Sequence, residues 1–139
     1  MAYKISNTFV FGVVLILLFA CKNDSNTPIF ILNKCKKDVA ITFNNEQSPK
    51  CINLELNIER DKLATDSLRE YYLSFESWPK FINEYPSKKL YVYIILIDSL
   101  KKYNNKIVPW IIKNKVYFKR DSFLLEQLVK QNWKIIIRE

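Results

Sequence analysis

Three cysteines, fourteen carboxylate side chains and no histidine make up the reactive inventory of this 139-residue chain. Without histidine there is no imidazole to activate a serine or cysteine nucleophile, and the commonest nitrogen ligand of zinc, copper and non-haem iron is missing. The one glycine, Gly12, sits in an apolar stretch near the start. No phosphate-cradling loop of the Walker or dinucleotide-binding kind can be built without it, because those backbones use glycine to approach the phosphates. What survives is carboxylate chemistry, such as glycoside hydrolysis by a pair of Asp or Glu side chains. The acids are scattered and no spacing marks a pair, so solvated surface charge is the simpler account of them. No catalytic, cofactor-binding or metal-ligating residue is assigned, and the expectation is a protein that is not an enzyme and carries no cofactor.

Cys21 points to a different chemistry. Lys4 is followed by an apolar run from Phe9 to Ala20, too short and too abruptly ended for a permanent bilayer span, which reads as a secretory signal. The run closes on Leu18-Phe19-Ala20-Cys21 and turns polar at once with Lys22-Asn23-Asp24-Ser25-Asn26. These residues resemble the lipobox of bacterial lipoproteins. The resemblance implies that the Cys21 sulfur receives a diacylglycerol, that the peptide is cut before Cys21, and that the new amino group is acylated. Two or three acyl chains, at roughly 0.8 kcal/mol per buried CH₂, anchor stably where one would not. The chain then divides into a signal peptide at 1–20, a lipidated tether at 21–27 and a domain at 28–139. Removing residues 1–20 leaves 119 residues of net charge +7, enough for one domain around a single core.

Cys35 and Cys51 remain, an even number in a compartment that permits oxidation. A bridge between them would close a loop of about 15 residues and stabilise by roughly 3 kcal/mol on the chain-entropy account. The alternative is two free thiols.

The elements that would position these groups can be read from hydrophobic pattern. Pro28 introduces Ile29-Phe30-Ile31-Leu32-Asn33, and after a polar stretch Val39-Ala40-Ile41-Thr42-Phe43-Asn44 follows, which predicts a β-hairpin. Ser48-Pro49 marks a turn, and Ile52, Leu54 and Leu56 alternate as in a short strand. Leu63, Ala64, Leu68, Tyr71, Tyr72 and Phe75 fall at helical spacing and predict an amphipathic helix over 61–75, with Asp61 or Asp66 as cap. Ser77-Trp78-Pro79 opens a short helix that Tyr85-Pro86 ends. Leu90 to Ile97 is a nearly continuous apolar run, as in a central strand covered on both faces. Asp98 and Ser99 start a helical turn that runs to Tyr103 and breaks at Asn104-Asn105, and Pro109 to Ile112 adds another turn. Val116-Tyr117-Phe118 reads as a short strand. Asp121 or Ser122 caps a helix carrying Leu124, Leu125, Leu128 and Val129, which Asn132 ends in the left-handed conformation. Trp133 to Ile137, apolar on both faces, reads as a final interior strand. The expected fold is α+β, a single small domain with a mixed or antiparallel sheet of about five strands and two to four short helices.

The C-terminal half also resembles a group of small Bacteroidota lipoproteins of unknown function. The shared residues are Leu90-x-Val92-x-Ile94-x-x-x-Asp98, Asn114, Lys119-Arg120, Leu125-x-x-Leu128 and Asn132-Trp133. Trp78 and Ile31-x-Asn33 with Ile41-x-Phe43 extend the likeness over most of the mature chain. It implies fold and compartment, an envelope protein held by lipid at the outer membrane, and assigns no activity.

Charge is uneven: residues 80–139 hold thirteen Lys/Arg and five acids, whereas 21–79 hold eight and nine. A basic face suits anionic head groups, an acidic protein or a polysaccharide, and an exported chain has little occasion to meet nucleic acid. The sequence therefore leads to a lipid-anchored envelope protein that works as a non-enzymatic binding module. Two alternatives stand beside it, a carboxylate-dependent hydrolase of envelope glycans and an immunity-type lipoprotein that neutralises a toxin.

Overall fold

The computed structural model describes residues 27–44, 55–74, 76–84, 86–103 and 107–139. Cys21, Cys51, the Ser48-Pro49 turn and Asn104-Asn105 lie outside them.

The apolar run after Lys88 becomes β5 (Lys89–Leu96), in which every residue from Leu90 to Ile95 is buried. Two antiparallel neighbours account for that burial at its edges, β2 (Val39–Asn44) on one side and β6 (Lys119–Leu124) on the other. The two-residue β3 (Lys62–Leu63) lies beyond β2, giving a four-stranded sheet of order β3-β2-β5-β6. Its faces are covered separately. Leu90, Val92 and Ile94, with Val39, Ile41 and Phe43, face a large core, while Ala40 and Ile95 pack with Ile97, Leu100 and Ile111 of α3 (Ile97–Lys102) and α4 (Val108–Lys113).

A second sheet closes the large core. In it β1 (Ile29–Asn33) lies between β4 (Leu68–Tyr71), antiparallel, and β7 (Lys134–Ile137), parallel. Ile29, Ile31, Ile135 and Ile137 point into the core, each at most 2% exposed. Burial of such side chains is worth roughly 1.5–3 kcal/mol apiece. Short helices plug its ends. From α2 (Trp78–Asn83) come Trp78, Phe81 and Ile82, and from α5 (Leu125–Lys130) comes Leu128. Phe43 stacks against Trp78 and Tyr71 at 5.0 and 5.1 Å, and the Trp78 Nε1–H donates to the Tyr71 carbonyl. With α1 (Ile58–Asp61), the described residues hold seven strands in two sheets and five short helices.

The α+β class stands, as do the central strand, the helices opening at Trp78, near Asp98 and near Pro109, the helix of Leu125 to Lys130, and the left-handed Asn132 with φ 53°. Several expectations are corrected. β1 and β2 do not pair as a hairpin. They lie in different sheets, because both edges of β1 are taken by β4 and β7 and both edges of β2 by β3 and β5. The stretch read as a helix over 61–75 instead runs from α1 through β3 into β4. Asp66 takes a left-handed φ of 59°, and Asp66 and Ser67 exchange main-chain bonds with Asn33, so tertiary partners override local helical spacing. Val116 to Phe118 form no strand. The strand begins at Lys119, and the following helix is capped by Leu124 with Gln127 reaching back to its N–H, not by Asp121 or Ser122. Finally, β7 is an edge strand rather than an interior one. Lys134 and Ile136 face outward, with Ile136 42% exposed. Leu56, expected in a strand, precedes α1 in irregular structure and packs on the α3–α4 cluster.

Candidate functional site

Of the three cysteines singled out in sequence, only Cys35 is among the described residues. It is buried at 1% exposure and carries a free thiol. Burial, and then the charge of Glu139, push that thiol's pKa up against the pull of Lys119. A buried thiol with a raised pKa is an inert core group, not a nucleophile. No cluster of three His, Cys, Asp or Glu side chains suited to a metal ion occurs among the described residues. No helix there is long and apolar enough to cross a membrane.

The most built surface feature is a cleft of about 380 Å³ where the chain passes from one sheet to the other. Its construction starts at Asn33, fully buried at the end of β1. The Asn33 side chain accepts from the Cys35 N–H at 2.9 Å and donates to the Lys37 and Leu63 carbonyls at 3.0 and 3.1 Å. Its amide is engaged on both sides, tying the 34–38 bend to Leu63 of β3, as a buried amide requires. That bend presents Lys36, Lys37 and Asp38 to the cleft. Opposite them α1 offers Ile58 and Glu59. Its start is capped by Asn57, whose side chain accepts from the Arg60 N–H at 3.0 Å. The third wall is the β5–α3 junction, with Leu96, Ile97, Asp98 and Lys101, fixed by the Ile97 N–H donating to the Asp38 carbonyl.

The electrostatics of the cleft are mixed. Four lysines, including Lys62 of β3, face three carboxylates. Asp38 accepts from the Thr65 N–H at 3.1 Å and pairs with Lys62 at 3.2 Å, and these two contacts, the first foremost, hold its carboxyl below the usual range. Asp98 lies 3.9 Å from Lys101. At the end of α1, burial works to raise the Asp61 carboxyl, but Arg60 at 2.8 Å and the Asn57 N–H outweigh it and the net displacement is downward.

The sequence pattern pointed to the C-terminal half for positive charge, yet three of the four cleft lysines, Lys36, Lys37 and Lys62, come from the other half. The polar run Lys34 to Asp38 is the signal the sequence offers for Lys36 and Lys37. Asn33 gave none, since a single Asn at a strand end looks like any turn residue. Comparison with protein-family models, with curated proteins and with solved structures finds no match to this chain.

Proposed function

We propose that this chain is a non-enzymatic binding module of the cell envelope, held at the outer membrane by lipid on Cys21. What supports binding over catalysis is the state of the cleft's carboxylates. A glycoside hydrolase needs one carboxyl raised to serve as general acid. Asp38 is displaced the opposite way by Thr65 and Lys62, and Asp98 faces Lys101. The anchor rests on the Leu18-Phe19-Ala20-Cys21 sequence and the closeness of the first strand, which begins at Ile29.

The test is to express the full chain and its Cys21→Ser variant in a lipoprotein-processing bacterium and record intact masses with an acyl-chain label. The expected result is a lipidated mature chain from the parent, and uncut, unlabelled precursor from the variant. An unmodified Cys21 in the exported parent refutes the anchor. Release of sugar from envelope glycans by the purified domain, lost in Glu59→Gln or Asp98→Asn, refutes the binding reading and installs the hydrolase.

A further inference from the structure

A second surface, on the opposite side of β5 from β2, is built differently. The outer strands of the two sheets, β6 and β7, converge there on a shallow groove of about 470 Å³ lined by Lys119, Phe123, Gln131, Lys134, Ile136 and Arg138, with Ile135 beneath. Its floor is apolar and all three of its charges are positive.

The main chain of β7 is half used. Trp133 and Ile137 accept at their carbonyls from the N–H groups of Phe30 in β1 and Lys34 just after it, and in a parallel ladder the groups that point the same way recur at every second residue. The ladder to β1 therefore runs through Trp133, Ile135 and Ile137. On the other edge the Lys134 N–H is taken by the Gln131 carbonyl at 3.1 Å, which leaves the Lys134 carbonyl and the Ile136 main-chain groups facing outward. No strand pairs with β7 on that edge among the described residues. Within the same groove Gln131 has a buried side-chain Nε2 with no hydrogen-bond partner.

Lysine and arginine on a sheet edge repel a second copy of the same edge, which excludes self-pairing as the use of this surface. The same charges attract an acidic strand. We infer that the β6–β7 groove is a docking site for an extended acidic segment of a partner protein, which adds a strand to β7. Its carboxylates, on the outward face, would meet Lys134 and Arg138, and its apolar side chains, on the other face, would cover Phe123. Main-chain bonds would supply affinity, and the charged rim register and salt dependence. Lys119 already lies 3.4 Å from Asp121. The inference rests on the reading of the chain as a binding module but is independent of the lipid.

The probe is an eight-residue peptide of alternating Glu and Val, blocked at both ends, titrated by fluorescence anisotropy into the soluble domain, with a Lys-Val peptide as control. Binding of the acidic peptide that weakens with salt is expected. Loss of about tenfold or more is expected for the Lys-Val peptide and for the exposed double variant Lys134→Glu/Arg138→Glu, whose near-ultraviolet spectrum should match the parent. The deciding arm uses peptides N-methylated at every second residue. Methylation on one register should abolish binding and on the other should spare it, because a docked strand offers only one edge to β7. Equal binding of both methylated peptides, or of the charge-reversed variant, overturns strand addition. If no peptide binds and envelope proteins are retained equally by columns of parent and variant, the groove is wrong and the module reading stands. Retention of nothing by either column removes both.

Discussion

Tyr71 shows what a single partly buried side chain does to the pH response. Its ring lies edge-on to Phe43, and burial raises its phenol from 10.0 to about 12, against the pull of the Arg69 guanidinium. Between these values the unfolded chain releases a proton that the folded chain retains. The contribution is thus fully present below about pH 10 and is lost as pH climbs toward 12. The amount is on the order of 2 kcal/mol. Urea midpoints taken from pH 9 to 11.5 should fall more steeply for the parent than for Tyr71→Phe, and parallel curves would refute the assignment. A second residue-scale expectation concerns Asn33. Replacing it with Ala leaves the Cys35 N–H and the Lys37 and Leu63 carbonyls without their partner, which should lower stability by about 1–3 kcal/mol in urea unfolding.

At the scale of elements, two helices end in the same way without glycine. After α4 the Val116 N–H donates to the Ile111 carbonyl and the Lys115 N–H to Ile112, and after α5 the Trp133 N–H donates to Leu128 and the Asn132 N–H to Val129. Both are Schellman caps, with left-handed residues at Lys115 (φ 55°) and Asn132 (φ 53°). Asparagine tolerates that conformation; lysine does so at a penalty. Lys115→Gly should therefore raise stability by about 0.5–1 kcal/mol, read as an upward shift in urea midpoint at unchanged slope. A lowered midpoint would mean that Lys115 makes a contact outweighing its backbone. These caps also mark how far the sequence was legible. Asn132 announced its helix end, and the seven apolar residues of β5, Leu90 to Leu96, announced a strand covered on both faces. Lys115 announced nothing, because lysine carries no turn preference. The stretch from Leu63 to Tyr72 misled outright. Its apolar residues keep helical spacing, yet Leu68 and Tyr72 are more than half exposed and Leu63 is in the core. What decides there is Asn33, some thirty residues away, which takes the main-chain groups of Asp66 and Ser67. The candidate cleft was illegible for the same reason, since its walls come from three separated segments. The groove at β6 and β7 could not be anticipated while β7 was read as interior.

For the whole molecule, the large core depends on β7 although that strand is at an edge. Deleting residues 132–139 removes Ile135 and Ile137, both essentially buried, and opens Ile29, Ile31 and Leu128 to water. At roughly 1.5–3 kcal/mol for each removed side chain, with more for the core exposed, the loss rivals the 5–15 kcal/mol stability of an ordinary domain. The truncated chain should lose its near-ultraviolet circular dichroism and its cooperative urea transition, and a native spectrum with unchanged midpoint would show the strand to be dispensable. The placement of β7 has a kinetic side as well. It pairs in parallel with β1, Phe30 opposite Lys134, more than a hundred residues later in the chain. Closing so long a loop is entropically unfavourable before any contact rewards it, and folds built on such pairings form slowly. A polypeptide made or threaded amino end first would carry Ile29 and Ile31 through most of its passage with one neighbour of their sheet still to come. It would stay loosely structured until Ile135 and Ile137 emerge, which is the condition a chain must keep if it is to pass through a narrow channel before it folds.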